Sequence, residues 1–150
     1  MYNVPVMKKR RRVAVTRIFL LVLAVAGLLF YVIPGRVSAD TKADPGHFSV
    51  KATFAQDIEV RYNTVSELNL VDEYDFGLPS ISFRNLQVIV GAYSSGTYGS
   101  YDLRVNRLTK KYIVLKSEDR YLIFNCNGEN ETVECYNAIR SKLNELIIQG

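Results

Sequence analysis

From Ile18 to Ile33 the chain reads IFLLVLAVAGLLFYVI, 16 residues without a charge. Extended back through Val13 the run covers 21 residues. As a helix at about 1.5 Å per residue that length spans about 31 Å, close to the thickness of a bilayer core. Apolar residues on every side leave no polar face for water, so the run does not read as a surface helix of a globular domain. Pro34-Gly35 then stops it. The pattern predicts a transmembrane helix over residues 13–33.

Residues 34–46 mix small, polar and turn-forming types and read as a linker. Beyond them the period changes to two. Residues 48–54, 58–62, 67–71, 81–83, 86–90, 101–107, 112–116 and 121–126 are strand-like stretches, most of them alternating apolar with polar. Ser117-Glu118-Asp119-Arg120 separates two of these as a hairpin turn, with Asp119 tolerant of turn geometry. About seven strands with short connections and no intervening helix predict an antiparallel barrel or sandwich. The last segment changes period again: Val133, Tyr136, Ile139, Leu143, Leu146 and Ile147 recur at helical spacing, with Asn127 or Asn130 available to cap the start. One amphipathic helix does not bury its stripe alone, so the open mouth or one face of the sheet is its expected partner. The fold class is α+β, mainly β, over residues 47–150.

Charge divides the chain. The net charge is +4, yet residues 1–39 carry seven bases and no acid. That leaves 12 bases against 15 acids in residues 40–150, a net −3. A phosphate-gripping surface needs its cations on the folded part, so nucleic acid is excluded as a partner. Lys8, Lys9, Arg10, Arg11 and Arg12 directly precede the apolar run and only Arg36 closely follows it. The positive-inside rule therefore keeps the tail, residues 1–12, in the cytoplasm and sends the domain outside. A cleaved secretory signal is the alternative, because Val37-Ser38-Ala39 offers small residues where a signal peptidase reads. Cleavage near Ala39 would release a soluble hydrolase or ligand carrier on the same side of the membrane.

Chemistry is sparse. His47 is the single histidine, no Gly-x-Ser-x-Gly elbow exists, and neither cysteine is followed by a histidine partner, which argues against an enzyme. Asp72, Glu73 and Asp75 lack calcium-loop spacing, so no metal or cofactor is expected. Cys126 and Cys135 are either a disulfide joining strand to helix or two small buried hydrophobes. The stretch from Gly91 to Tyr101 carries Tyr93, Tyr98 and Tyr101 among glycines and serines; these are either a partner-contact surface or a cover for the barrel's own edge. No phosphate-loop lysine follows the glycines. Asn130-Glu131-Thr132 matches the N-glycosylation pattern by chance.

Taken together, IEVRYNTVSELNLVDEY at 58–74, Leu78-Pro79, YSSGTYGSYDLRVNRLTKKYIVLKSEDRYLIFN at 93–125 and the closing helix resemble the bacterial pleckstrin-homology-like domain family. The resemblance implies a partly open antiparallel barrel of about seven strands, plugged at one end by the helix. It implies no activity. The Lys/Arg cluster that grips inositol phosphates is missing, Lys51 and Arg61 being isolated, and relatives often carry a pair of membrane segments where this chain has one. The expectation is a non-catalytic interaction module on the outer face of the cytoplasmic membrane. It would touch lipid through its N-terminal helix and bind a protein or envelope component through its domain.

Overall fold

The computed structural model describes residues 5–42 and 44–149; the side chains of residues 5–14, Phe30 and Gln149 are outside that description. The chain forms two compact units, one ending at Ile33 and the other beginning at Pro34.

The first unit is helix α1 (Pro5–Val32). Pro5 sits in the first turn, where its missing N–H costs no hydrogen bond. Residues 5–12, expected as a tail, therefore belong to the helix. The side chains of Lys8, Lys9, Arg10, Arg11 and Arg12 lie outside the described residues. From Val15 to Val32 the large apolar side chains that are described stand about half or more exposed. Among the described residues no helix is long and apolar enough to cross a membrane. The transmembrane helix expected over residues 13–33 is not found among the described residues.

The second unit is α+β and mainly β. Strands β1 (Val37–Asp40), β2 (His47–Ala52) and β3 (Ile58–Arg61) make an antiparallel three-stranded sheet in that order. A 3-10 turn (Tyr62–Thr64) leads into β4 (Val65–Val71), β5 (Leu78–Arg84), β6 (Val88–Ser95), β7 (Gly99–Asn106), β8 (Tyr112–Ser117) and β9 (Arg120–Phe124). These six form one sheet in the order β4-β8-β9-β7-β6-β5, and helix α2 (Glu129–Gln149) closes the chain.

Three expectations change. Among the described residues nine strands replace about seven, in two sheets that do not close into a barrel. One of the extra strands, β1, falls inside the expected linker: Val37 pairs with Ala52 and Ala39 with Val50, and Val37 is fully buried. The large sheet is also not purely antiparallel. With β8 already held by β4 on its far side, β9 folds back from the hairpin and lies parallel to β7, Leu103 opposite Ile123. In that hairpin the left-handed residue is Glu118 (φ 54°), not Asp119.

Strand alternation builds the core on both sides of the large sheet. Ile113 and Leu115 of β8, with Leu122 and Phe124 of β9, face the small sheet, where Phe48, Val50, Val60 and Tyr62 meet them and Cys126, Cys135 and Ile139 complete the cluster. Ile89, Leu103, Val105, Tyr112, Val114 and Ile123 line the opposite face. Buried asparagines tie the strand ends together. The Asn125 Oδ1 accepts from the Asn106 N–H at 2.6 Å, and its Nδ2 donates to the Asn106 carbonyl at 3.0 Å. The expected cap Asn127 instead accepts from the Val37 N–H at 3.0 Å, stapling β1 to the start of α2.

Candidate functional site

Helix α2 docks through one face and then outruns its support. Thr132, Cys135 and Ile139, spaced three and four residues apart, are buried against the strand ends. One turn further Leu143 is half-buried, and beyond it Leu146 and Ile147 are 41% and 78% exposed. The exposed turns flank β4, an edge strand whose only strand partner among the described residues is β8. A groove of about 590 Å³ runs between them, lined by Leu68 and Asn69 on the strand and by Tyr136, Arg140, Leu143 and Ile147 on the helix. An edge strand presents an open row of N–H and C=O groups. Beside an apolar helix face, that row suits an extended backbone carrying apolar side chains. The opposite edge, β5, also exposes apolar residues, Leu78 and Ile81. Its Pro79 and the register shift between Pro79 and Ile81 interrupt the ladder there.

The tyrosines expected as a contact surface lie elsewhere and are mostly spent. The stretch from Gly91 to Tyr101 is the end of β6, a tight turn and the start of β7, an antiparallel hairpin. Tyr93 and Tyr101 are 5% and 3% exposed, and Tyr98 is half-buried beside them. The connection between β4 and β5 folds over this face. Tyr74 places its ring 6.0 Å from that of Tyr101 and 5.8 Å from that of Tyr98, and the Tyr101 hydroxyl donates to the Phe76 carbonyl. Gly77 (φ 63°) makes the fold-over possible, since a Cβ there would stand 2.3 Å from the Ser94 carbonyl oxygen. Tyrosine supplies both apolar area and a donor for the carbonyls that such a connection brings inside. Burial pushes the Tyr101, Tyr74 and Tyr112 phenols up from their ordinary value.

The acidic cluster is likewise engaged. Asp72 pairs with Lys111, and the Asp75 Oδ1 accepts from the Gly77 N–H at 3.0 Å. Among the described residues no group of three metal-ligating side chains comes together. His47 begins β2 with its Nδ1 3.3 Å from the Asp44 carboxylate, and among the described residues no hydroxyl or thiol is hydrogen-bonded to the ring. Cys126 and Cys135 are free thiols buried in the same hydrophobic cluster.

Arg104 was not legible as a special residue. It occupies a polar position of the alternating β7, yet it is 8% exposed. Its Nη1 donates to the Leu103 carbonyl at 2.9 Å, its Nε has no partner, and burial pulls the guanidinium down from its ordinary range. Period-two reading puts such a residue on the solvent face. Here the face it points from is covered by the small sheet, and only the β1–β2 pairing could have warned of that. A second cleft of about 630 Å³ opens between β3 and the β8–β9 hairpin, with Arg61, Arg120, Glu59 and Glu118 on its walls.

No family model, curated protein or solved structure matches this chain.

Proposed function

We propose that the chain is a membrane-anchored, non-catalytic interaction module whose β-rich domain stands outside the cytoplasmic membrane. In this reading the β4–α2 groove takes an extended, apolar segment of an envelope protein. The observation that carries it is the pairing of an open strand edge with unspent apolar side chains, Leu146 and Ile147, along one groove. The anchor rests on the 21-residue apolar run from Val13 to Ile33 and the five cations before it. Tethering raises the local concentration of the module at the bilayer, so a shallow groove suffices for useful occupancy.

The pleckstrin-homology-like reading rests on the sequence resemblance and on a terminal helix packed across strand ends; the parallel β7–β9 pair departs from it. Release after Ala39 is the weaker reading on physical grounds. Cleavage there would remove three of the four residues of β1, among them the fully buried Val37 and its bond to Asn127.

A photo-crosslinking residue at Asn69 of the full-length protein in native membranes tests the groove, with Lys110 as a control outside it. The expected result is one discrete adduct from position 69, none from 110, and loss of the adduct on Ile147→Asp. A topology reporter fused after Gly150 is expected to be active only outside the membrane. Equal labelling from both positions would refute the groove, and a cytoplasmic reporter would refute the orientation.

A further inference from the structure

We propose that Cys126 and Cys135 close a native intramolecular disulfide that pins α2 to the end of β9. Three observations bring the two cysteines together. First, the Cys126 N–H donates to the Thr132 Oγ1 at 3.0 Å, while that hydroxyl donates to the Gly128 carbonyl at 2.8 Å. This fixes the first turn of α2 over the Cys126 backbone. Second, Cys135 lies one turn beyond Thr132 on the same helix face, and Thr132, Cys135 and Ile139 are all buried there. Third, both thiols are buried in one hydrophobic cluster, and each shifts the other's titration, Cys135 chiefly drawing Cys126 down and Cys126 chiefly pushing Cys135 up. A loop of ten residues, 126 to 135, would be closed with the helix already seated. That is the condition under which a cross-link costs the native state least.

The surroundings favour one order of events. Cys135 draws the Cys126 thiol down from its ordinary value, while Cys126 and burial push the Cys135 thiol up, so Cys126 is the readier thiolate and Cys135 holds its proton. With a small disulfide such as glutathione disulfide as oxidant, the Cys126 thiolate attacks one glutathione sulfur. The glutathione S–S bond breaks, and the departing thiolate takes up a proton. Cys135 then loses its proton and attacks the Cys126 sulfur, expelling the second glutathione as thiol. The pair gives up two electrons and two protons, and the oxidant gains both. The same junction includes Tyr62, close enough to Cys135 for its phenol to be raised further than burial alone would raise it. The bond would therefore lock β9, α2, β1 and the 3-10 turn at one point. It is a property of the fold whichever way the chain is oriented; the compartment decides only whether an oxidant reaches it.

The test equilibrates the full-length protein in detergent with glutathione redox buffers, approached from both the reduced and the oxidised chain. A maleimide of fixed added mass then counts thiols by mass spectrometry. The folded chain is expected to keep the disulfide at ratios about tenfold or more reducing than those that reduce the same chain in denaturant. By linkage, its Tm should exceed that of the reduced protein by about 5 °C or more. Cys135→Ser is expected to leave Cys126 as a single thiol that carries a glutathione adduct instead. The proposal is overturned if the folded chain is reduced at the same ratio as the denatured one or at a milder one. It is equally overturned if glutathione adducts or cross-linked dimers accumulate in the native protein. A topology reporter decides the orientation separately, so a cytoplasmic domain would leave the redox result standing.

Discussion

The two faces of the six-stranded sheet are made by alternate residues of the same strands, yet they are covered in different ways. On one face, Leu115, Leu122 and Phe124 meet Phe48 and Val50 of the small sheet and Ile139 of α2. Both coverings are regular elements whose backbone polar groups are paired within them, so the side chains between are mainly apolar, Tyr62 and the buried Arg104 being the exceptions. On the other face, Leu103, Val114 and Ile123 lie beneath Tyr74, Phe76 and Tyr98, and the covering is the connection between β4 and β5. Irregular backbone brings unpaired carbonyls against the core, and tyrosine answers with area and a donor in one side chain. The difference teaches why the tyrosines of this chain gather where they do. They seal a loop-covered face, and that leaves the open edge at β4 as the better surface for a partner.

The comparison breaks most clearly at its centre. Phe124 is fully buried, with its ring 6.4 Å from that of Phe48. Phe124→Ala should cost about 3–5 kcal/mol, since the transfer term and the cavity term add where rigid elements do not collapse into the void. Urea unfolding should show the whole midpoint shift, because both sheets and α2 share this residue's neighbourhood. Gly77→Ala should cost less, about 2 kcal/mol, from its left-handed backbone and the approach of its Cβ to the Ser94 carbonyl. Its effect should be local: faster amide exchange and greater solvent access around Tyr93 and Tyr101, with β2 and β8 unchanged. Should Gly77→Ala instead unfold the domain as Phe124→Ala does, the two faces would have to be one cooperative unit and the contrast between them would fail.

Much of this was legible in the sequence, and the reasons are specific. Residues 112–116 and 121–126 read as a hairpin because two short apolar runs, buried on both faces, flank a polar turn, and residues 133–147 read as a helix because one buried face writes its period into the chain. The strand β1 was not legible. Four residues, two of them Ser and Asp, carry too short an alternation, and only the pairing of Val37 with Ala52 identifies it. Parallel pairing of β7 with β9 left no trace either, since β9 has the same alternation whichever neighbour it takes. The groove was half legible. Leu146 and Ile147 continue the helical stripe, but sequence does not say that the helix outlasts the sheet beneath it. Cys126 and Cys135 were marked as a pair by their facing alone, with Thr132, the residue that seats the helix beside Cys126, passing unnoticed.

Alkaline pH separates the faces with the smallest perturbation. Tyr101, Tyr74 and Tyr112, all on the loop-covered face, have phenols raised by burial, whereas the opposite face contributes only Tyr62. In the unfolded chain these phenols ionise near the ordinary value of about 10. Below that pH folded and unfolded chains bind the same protons and stability is unaffected. Above it the unfolded chain releases protons that the folded one keeps, so stability falls as pH rises, by up to about 1.4 kcal/mol per pH unit for each such group. Tyr101→Phe removes one of these phenols together with the hydroxyl bonded to the Phe76 carbonyl. At pH 7 it should be less stable than the parent by about 1 kcal/mol, the cost of leaving that carbonyl without its donor. Urea unfolding at pH 7, 9 and 11 should show this deficit constant to pH 9 and shrinking or reversing by pH 11, because the variant no longer has that proton to hold. The deficit of Phe124→Ala carries no proton and should stay level across the same range. A Tyr101→Phe deficit that also stayed level would mean that the Tyr101 phenol is hydrated, and that the connection between β4 and β5 does not seal this face.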